Sequence, residues 1–118
     1  MIYELIKKLE DRDKDVRMYA VEALGMFGDA SAAPALIKAL LKDSDELVRW
    51  NAAEALGKLR DASAVPALIK ALEDSYVEVR ISAAEALGKL RDASAVPALI
   101  KALEDSYVEV RINAAEAL

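Results

Sequence analysis

Residues 61–87 read DASAVPALIKALEDSYVEVRISAAEAL, and residues 92–118 repeat them with one change, serine at position 82 against asparagine at position 113. The offset between the copies, Asp61 to Asp92, is 31 residues. An earlier copy runs from Asp29 to Arg60, one residue longer because ALLKDSDELVR at 39–49 replaces ALEDSYVEVR at 71–80. The most divergent copy opens the chain, where LIKKLED at 5–11 aligns with LIKALED at 68–74 and VRMYAVEALG at 16–25 with VRISAAEALG at 79–88. Repeats at 1–28, 29–60, 61–91 and 92–118 therefore fill the sequence, and a fixed period of this size predicts one solenoid domain over 1–118.

Each unit reads as two helices. Val65, Leu68, Ile69 and Leu72 stand at i, i+3, i+4 and i+7, one face of a first helix A. Ser31, Ser63 and Ser94 are placed as its N-caps, with Pro34, Pro66 and Pro97 in the first turn, where a missing N–H costs little. Ser75 with Glu78 and Ser106 with Glu109 match a capping box, so a second helix B is expected to start near Tyr76 and Tyr107. Its apolar face is Val79, Ala83, Ala86 and Leu87, and Gly25, Gly57 and Gly88 are expected to close it. Two short amphipathic helices cannot bury both faces alone. The expectation is an all-α superhelix of four stacked hairpins, with Ala52, Ala53, Ala83 and Ala84 allowing close helix approach.

Composition removes many functions. With no Cys and no His among 118 residues, disulfides, thiolate zinc sites, cysteine nucleophiles and histidine general bases are excluded. Sixteen basic against 21 acidic residues give a net charge of -5, which argues against nucleic acid as a partner. No apolar run approaches the ~20 residues of a membrane span, so a soluble, cytoplasmic protein is the expectation. The four glycines form no phosphate-binding loop, and no cofactor or metal is expected.

The pattern D-x-x-VR-x-x-AA-x-ALG followed by a DASAVPALIKAL-type helix resembles the HEAT-like repeat named after phycobilisome lyase subunits, across all 118 residues. It is also similar to artificial proteins built from that consensus, and the near identity of the last two copies is what design or very recent duplication produces. Met18, Tyr19, Val21, Met26, Phe27 and Trp50 depart from that uniformity and lean toward a natural parent or a diversified variant. The resemblance implies a recognition scaffold whose B helices line the concave surface. It also implies that Arg17, Arg49, Arg80 and Arg111, each six residues after Asp11, Asp43, Asp74 or Asp105, pair with aspartates between repeats and fix the stacking register. Related repeats occur in bilin lyases, in a histidine-ligated iron hydroxylase and in alkylbase glycosylases. The hydroxylase pattern fails without histidine, and the acidic balance disfavours the glycosylase.

The candidate surface follows from helical geometry. With Val79 at zero, steps of about 100° put Ile81 near 200° and Glu85 near 240°, while the core residues cluster near 40°. Met18, Trp50, Ile81 and Ile112 share one repeat position that points away from the hairpin core, although packing against a neighbouring B helix is an open alternative for Ile81 and Ile112. Adjacent Tyr19, Asn51, Ser82 and Asn113 vary as an adaptable strip would. Glu22, Glu54, Glu85 and Glu116 form an acidic ladder whose rungs, roughly 10 Å apart, are too distant for one cation with ligands at about 2.0 to 2.6 Å. Tyr76 and Tyr107 read as packing residues.

These twelve positions, with no catalytic residue among them, point to a non-enzymatic scaffold binding a protein or peptide that carries basic and apolar residues. Trp50 is the expected anchor. The alternative is a self-assembling building block, and a bilin-lyase-type subunit is a distant third. The last repeat keeps an interior-type stacking face, which predicts a homodimer through the C-terminal repeat. Lys8 and the charged loop Arg12–Asp15 adapt the first repeat to water.

Overall fold

The computed structural model describes residues 1–118 and is helical throughout, with no strand. A and B helices alternate: α1 (Ile2–Lys8) and α2 (Lys14–Phe27), α3 (Ala33–Lys42) and α4 (Glu46–Leu59), α5 (Val65–Ala71) and α6 (Val77–Leu90), α7 (Val96–Ala102) and α8 (Val108–Ala117). The four hairpins stack into a body of 39 × 23 × 17 Å, an α solenoid. Leu36, Leu68 and Leu99 on A helices and Val48, Val79, Val110, Leu24, Leu56 and Leu87 on B helices are fully or almost fully buried. They join one continuous core along the stack. Each such side chain contributes roughly 1.5–3 kcal/mol when buried.

Three local expectations are corrected. The serines do not cap helix A: the carboxylates of Asp29, Asp61 and Asp92 accept from the N–H groups of Ser31, Ser63 and Ser94 at 2.9 Å. They thereby start a one-turn 3₁₀ helix that leads into each A helix. Aspartate wins because its charged oxygen is the stronger acceptor and sits two residues before the turn's free N–H. The capping boxes at Ser75 and Ser106 do not form either. Asp74 and Asp105 accept from the N–H groups of Tyr76 and Tyr107 at 2.9 Å, and no side chain caps α6 or α8.

The third correction concerns glycine. Helices α2, α4 and α6 run through Gly25, Gly57 and Gly88 to end at Phe27, Leu59 and Leu90. The left-handed residue that stops each is Gly28, Arg60 or Arg91, with φ of 69°, 55° and 54°. Gly25, Gly57 and Gly88 instead admit the next B helix: a Cβ on each would stand 3.0, 3.0 and 3.2 Å from the Cβ of Ala55, Ala86 and Ala117. Together with the fully buried Ala52, Ala53, Ala83 and Ala84 they form a small-residue seam. Through it the B helices pack against one another far more closely than the A helices do. The B layer is therefore the tighter of the two. Open grooves of about 240 and 560 Å³ separate neighbouring A helices.

Arginine sets the register. Nε of Arg17, Arg49 and Arg80 donates to Asp43, Asp74 and Asp105 of the next repeat at 2.9, 2.9 and 3.0 Å, with Nη2 on the second carboxylate oxygen. Nη1 holds the backbone carbonyl of the aspartate six residues earlier at 2.8 to 3.0 Å. The carboxylate hydrogen bond outweighs desolvation and holds the Arg17 and Arg49 guanidinium groups above the ordinary arginine range. Tyr107 lies under Arg80 at 5.6 Å, a cation–π contact that adds to the same joint.

Candidate functional site

The B-helix face is built from one position after another along parallel helices. Glu22, Glu54, Glu85 and Glu116 are all exposed and stand in register on α2, α4, α6 and α8. Between α2 and α4, Glu22, Met26, Asn51, Glu54 and Lys58 surround a shallow groove of about 250 Å³ floored by the buried Gly25 and Ala55. An equivalent groove of about 160 Å³ lies between α6 and α8, where Glu85, Asn113, Glu116 and Lys89 surround Ala84, Gly88 and Ala117. The seam glycines create both grooves, because no side chain rises between the two helices.

The large apolar row is placed differently from a free strip. Met18, Trp50 and Ile81 are half-buried and pack against the core, while Ile112 is 50% exposed. A helix angle gives direction only, and here the next B helix comes close enough to cover the inner part of each side chain. Tyr19 is 63% exposed. Asn51 and Asn113 are half-buried, and Asn113 turns toward the preceding helix to donate from Nδ2 to the Ile81 carbonyl at 3.3 Å. Ser82 is buried at 3% exposure and offers no surface, which corrects its place among the contact residues. The repeat position it occupies faces the neighbouring helix, and a short side chain there is covered.

Met26, Lys58 and Lys89 belong to the grooves and were not expected there. The sequence did carry the signal, since each follows a ladder glutamate by four residues and so shares its face. Lys58 and Lys89 offset Glu54 and Glu85, whereas Glu22 has Met26 in that place. Each groove thus sets two glutamates against one lysine, and Met26 makes the face most apolar around α2. No group of three or more acidic side chains stands close enough to hold a metal ion, and no helix is long and apolar enough to cross a membrane.

The comparisons agree with this architecture. The HEAT repeats family model matches residues 2–77 and 65–118. One chain from the structure of the complex of CpcE and CpcF of phycocyanin lyase, from a Nostoc species, superposes with a TM-score of 0.92 at 36% identity, over 100% of this chain and 52% of that one. Human deoxyhypusine hydroxylase in complex with glycerol gives 0.84 at 31% identity, over 99% of this chain and 42% of that one. A designed armadillo repeat protein in complex with the peptide (KR)4 gives 0.79 at 29%, over 98% and 62%. The chain thus spans from about two fifths to three fifths of the length of these structures. No curated protein shows significant sequence similarity to it. With family matches running from Ile2 to Leu118 over the arginine-registered hairpins described above, the chain belongs to the HEAT-repeat family.

Proposed function

We propose that the chain is a non-enzymatic scaffold, with residues 1–118 acting as one unit, and that its B-helix face binds a peptide or protein segment carrying basic and apolar residues. The observation that carries this reading is the twice-formed groove in which two glutamates and an asparagine converge over a glycine and alanine floor. Carboxylates take a Lys or Arg side chain, and a half-buried asparagine is suited to an extended backbone. Glu22, flanked by exposed Tyr19 and Met26 and with Glu54 across the groove, is the strongest subsite for a basic residue. Met18, Trp50, Ile81 and Ile112 contribute their exposed edges to apolar contact. The designed relative in complex with (KR)4 supports a basic peptide, and the CpcE–CpcF complex supports a protein partner.

The test is titration with the (KR)4 peptide, followed through the fluorescence of Trp50, the only tryptophan. Saturable binding that falls with salt and is lost in Glu22→Lys is expected. Equal binding of an acidic peptide, or none of either, overturns the reading.

Self-association is the second reading, favoured by one observation. Val96, Ile100 and Val108 of the C-terminal repeat are 39%, 53% and 56% exposed, although Val65, the inner equivalent of Val96, is 2% exposed. We propose that this face pairs with another copy of the chain.

A further inference from the structure

The two acidic grooves of the B-helix face are alike, and the seam between them is not. Asn51 lines the α2–α4 groove and Asn113 the α6–α8 groove, each with two ladder glutamates. Asn51 is half-buried and makes no hydrogen bond within the chain, so its amide donor and acceptor both reach solvent. Asn113 donates from Nδ2 to the Ile81 carbonyl at 3.3 Å, and its side-chain oxygen stays free to accept. At the α4–α6 seam the same repeat position is Ser82, which is 3% exposed. The register in which Asn113 meets Ile81 sets Ser82 beside Trp50, the largest side chain of the apolar row. The middle seam therefore presents indole surface and no amide. These differences, Asn against Ser and Trp against Met or Ile, are written in the sequence.

A spacing follows. Packed helices lie about 8–10 Å apart, so two grooves separated by two helix steps are roughly 16–20 Å apart. A free amide on the surface suits an extended partner, because an α-helix has already paired its own backbone groups. An extended segment advances about 3.3 Å per residue and turns alternate side chains to one side. On that side, residues four apart span only about 13 Å and residues eight apart about 26 Å. Six apart spans about 20 Å, the even step that reaches from groove to groove.

We propose that the B-helix face takes an extended segment with basic residues six apart, one in each asparagine groove. The residues two and four places after the first basic one are apolar and lie over Trp50. This deepens the binding reading of the preceding subsection and rests on it. The selected partner thus reads basic, apolar, apolar, basic along one side of the strand, with the alternate residues facing solvent.

The probe is the peptide Ser-Lys-Ser-Leu-Ser-Leu-Ser-Lys-Ser, titrated against the 118-residue chain at low salt and followed by Trp50 fluorescence. Isomers of the same composition with the lysines three or four apart are the controls. The six-apart peptide should bind about tenfold tighter than either isomer, since it alone engages both grooves at once. In Glu22→Gln with Asn51→Ala, checked for folding by circular dichroism, one groove is disabled and the three affinities should converge. Equal binding of all three peptides by the parent overturns the spacing and leaves the scaffold reading standing. So does binding of (KR)4 without binding of the six-apart peptide. No binding of (KR)4 or of any of the three overturns both.

Discussion

Arg49 leaves its own repeat to close on Asp74 of the next, with Nε–Oδ2 at 2.9 Å and Nη2–Oδ1 at 3.2 Å, while its Nη1 keeps the Asp43 carbonyl at 3.0 Å. One side chain thus ties two loops and sets the rotation between hairpins. The side chains are 16% and 13% exposed, so water screens the pair little. Arg49→Met is expected to cost about 2–3 kcal/mol, since it strands a poorly solvated carboxylate. Adding Asp74→Asn should return part of that loss, because asparagine can still accept from the Tyr76 N–H without a charge. Urea unfolding of the two variants measures both effects.

Two glycines are expected to respond for different reasons. Gly57→Leu meets the Ala86 Cβ at 3.0 Å and Cα at 3.3 Å, and should destabilise by about 1–3 kcal/mol or more through overpacking of the B layer. Gly28→Ala meets nothing within 4 Å, yet its φ of 69° penalises any Cβ by about 1 kcal/mol. A second substitution that enlarges the seam further, Ala86→Val, should worsen the first variant and leave the second additive, as thermal melts would show.

Arg60 and Arg91 adopt left-handed backbone with a full side chain, at φ of 55° and 54°. Gly28 fills the same role in the first repeat without that cost. Arg60→Gly is expected to raise stability by up to about 1 kcal/mol, the relief of strain exceeding the added entropy of the unfolded chain. An unchanged or lower melting temperature would show that the Arg60 side chain contributes more than its backbone costs.

The Asp29 and Asp61 carboxylates are held below the ordinary aspartate range, first by the backbone N–H of Ser31 and Ser63, and Asp92 first by the Ser94 hydroxyl. The unfolded state therefore binds protons at a higher pH than the native state does. The stability these groups give is present above the unfolded value, near pH 4, and fades as pH falls through the lower folded values. Replacing all three by asparagine keeps an acceptor at each turn and removes the titration. Between about pH 5 and 2 the melting temperature of that variant should fall less steeply than that of the parent.

Trp50→Ala should weaken a peptide bound on the B-helix face by more than about 1 kcal/mol, and isothermal calorimetry checks it. The half-burial of Trp50 means that stability falls too, so affinity is compared well below the melting temperature of the variant. Affinity equal to that of the parent would move the contact surface away from Trp50.

The repeat and the helix pairs are legible in the sequence because each follows from local spacing, a period and an apolar face, while the arginine-to-aspartate register came from the family resemblance, since the paired carboxylates lie 25 or 26 residues away. Exposure of the glutamate ladder was legible from local spacing too. What the tertiary structure decided is how near neighbours come. Gly25, Gly57 and Gly88 look like helix stops along the chain, and only the approach of Ala55, Ala86 and Ala117 explains them. Met18, Trp50 and Ile81 point outward from their own hairpins, yet are half-covered by the adjacent helix. The burial of Ser82 has the same origin. Angular position on a helix is a property of one segment, whereas burial depends on the spacing between segments, which the glycine and alanine seam sets only once the hairpins are stacked.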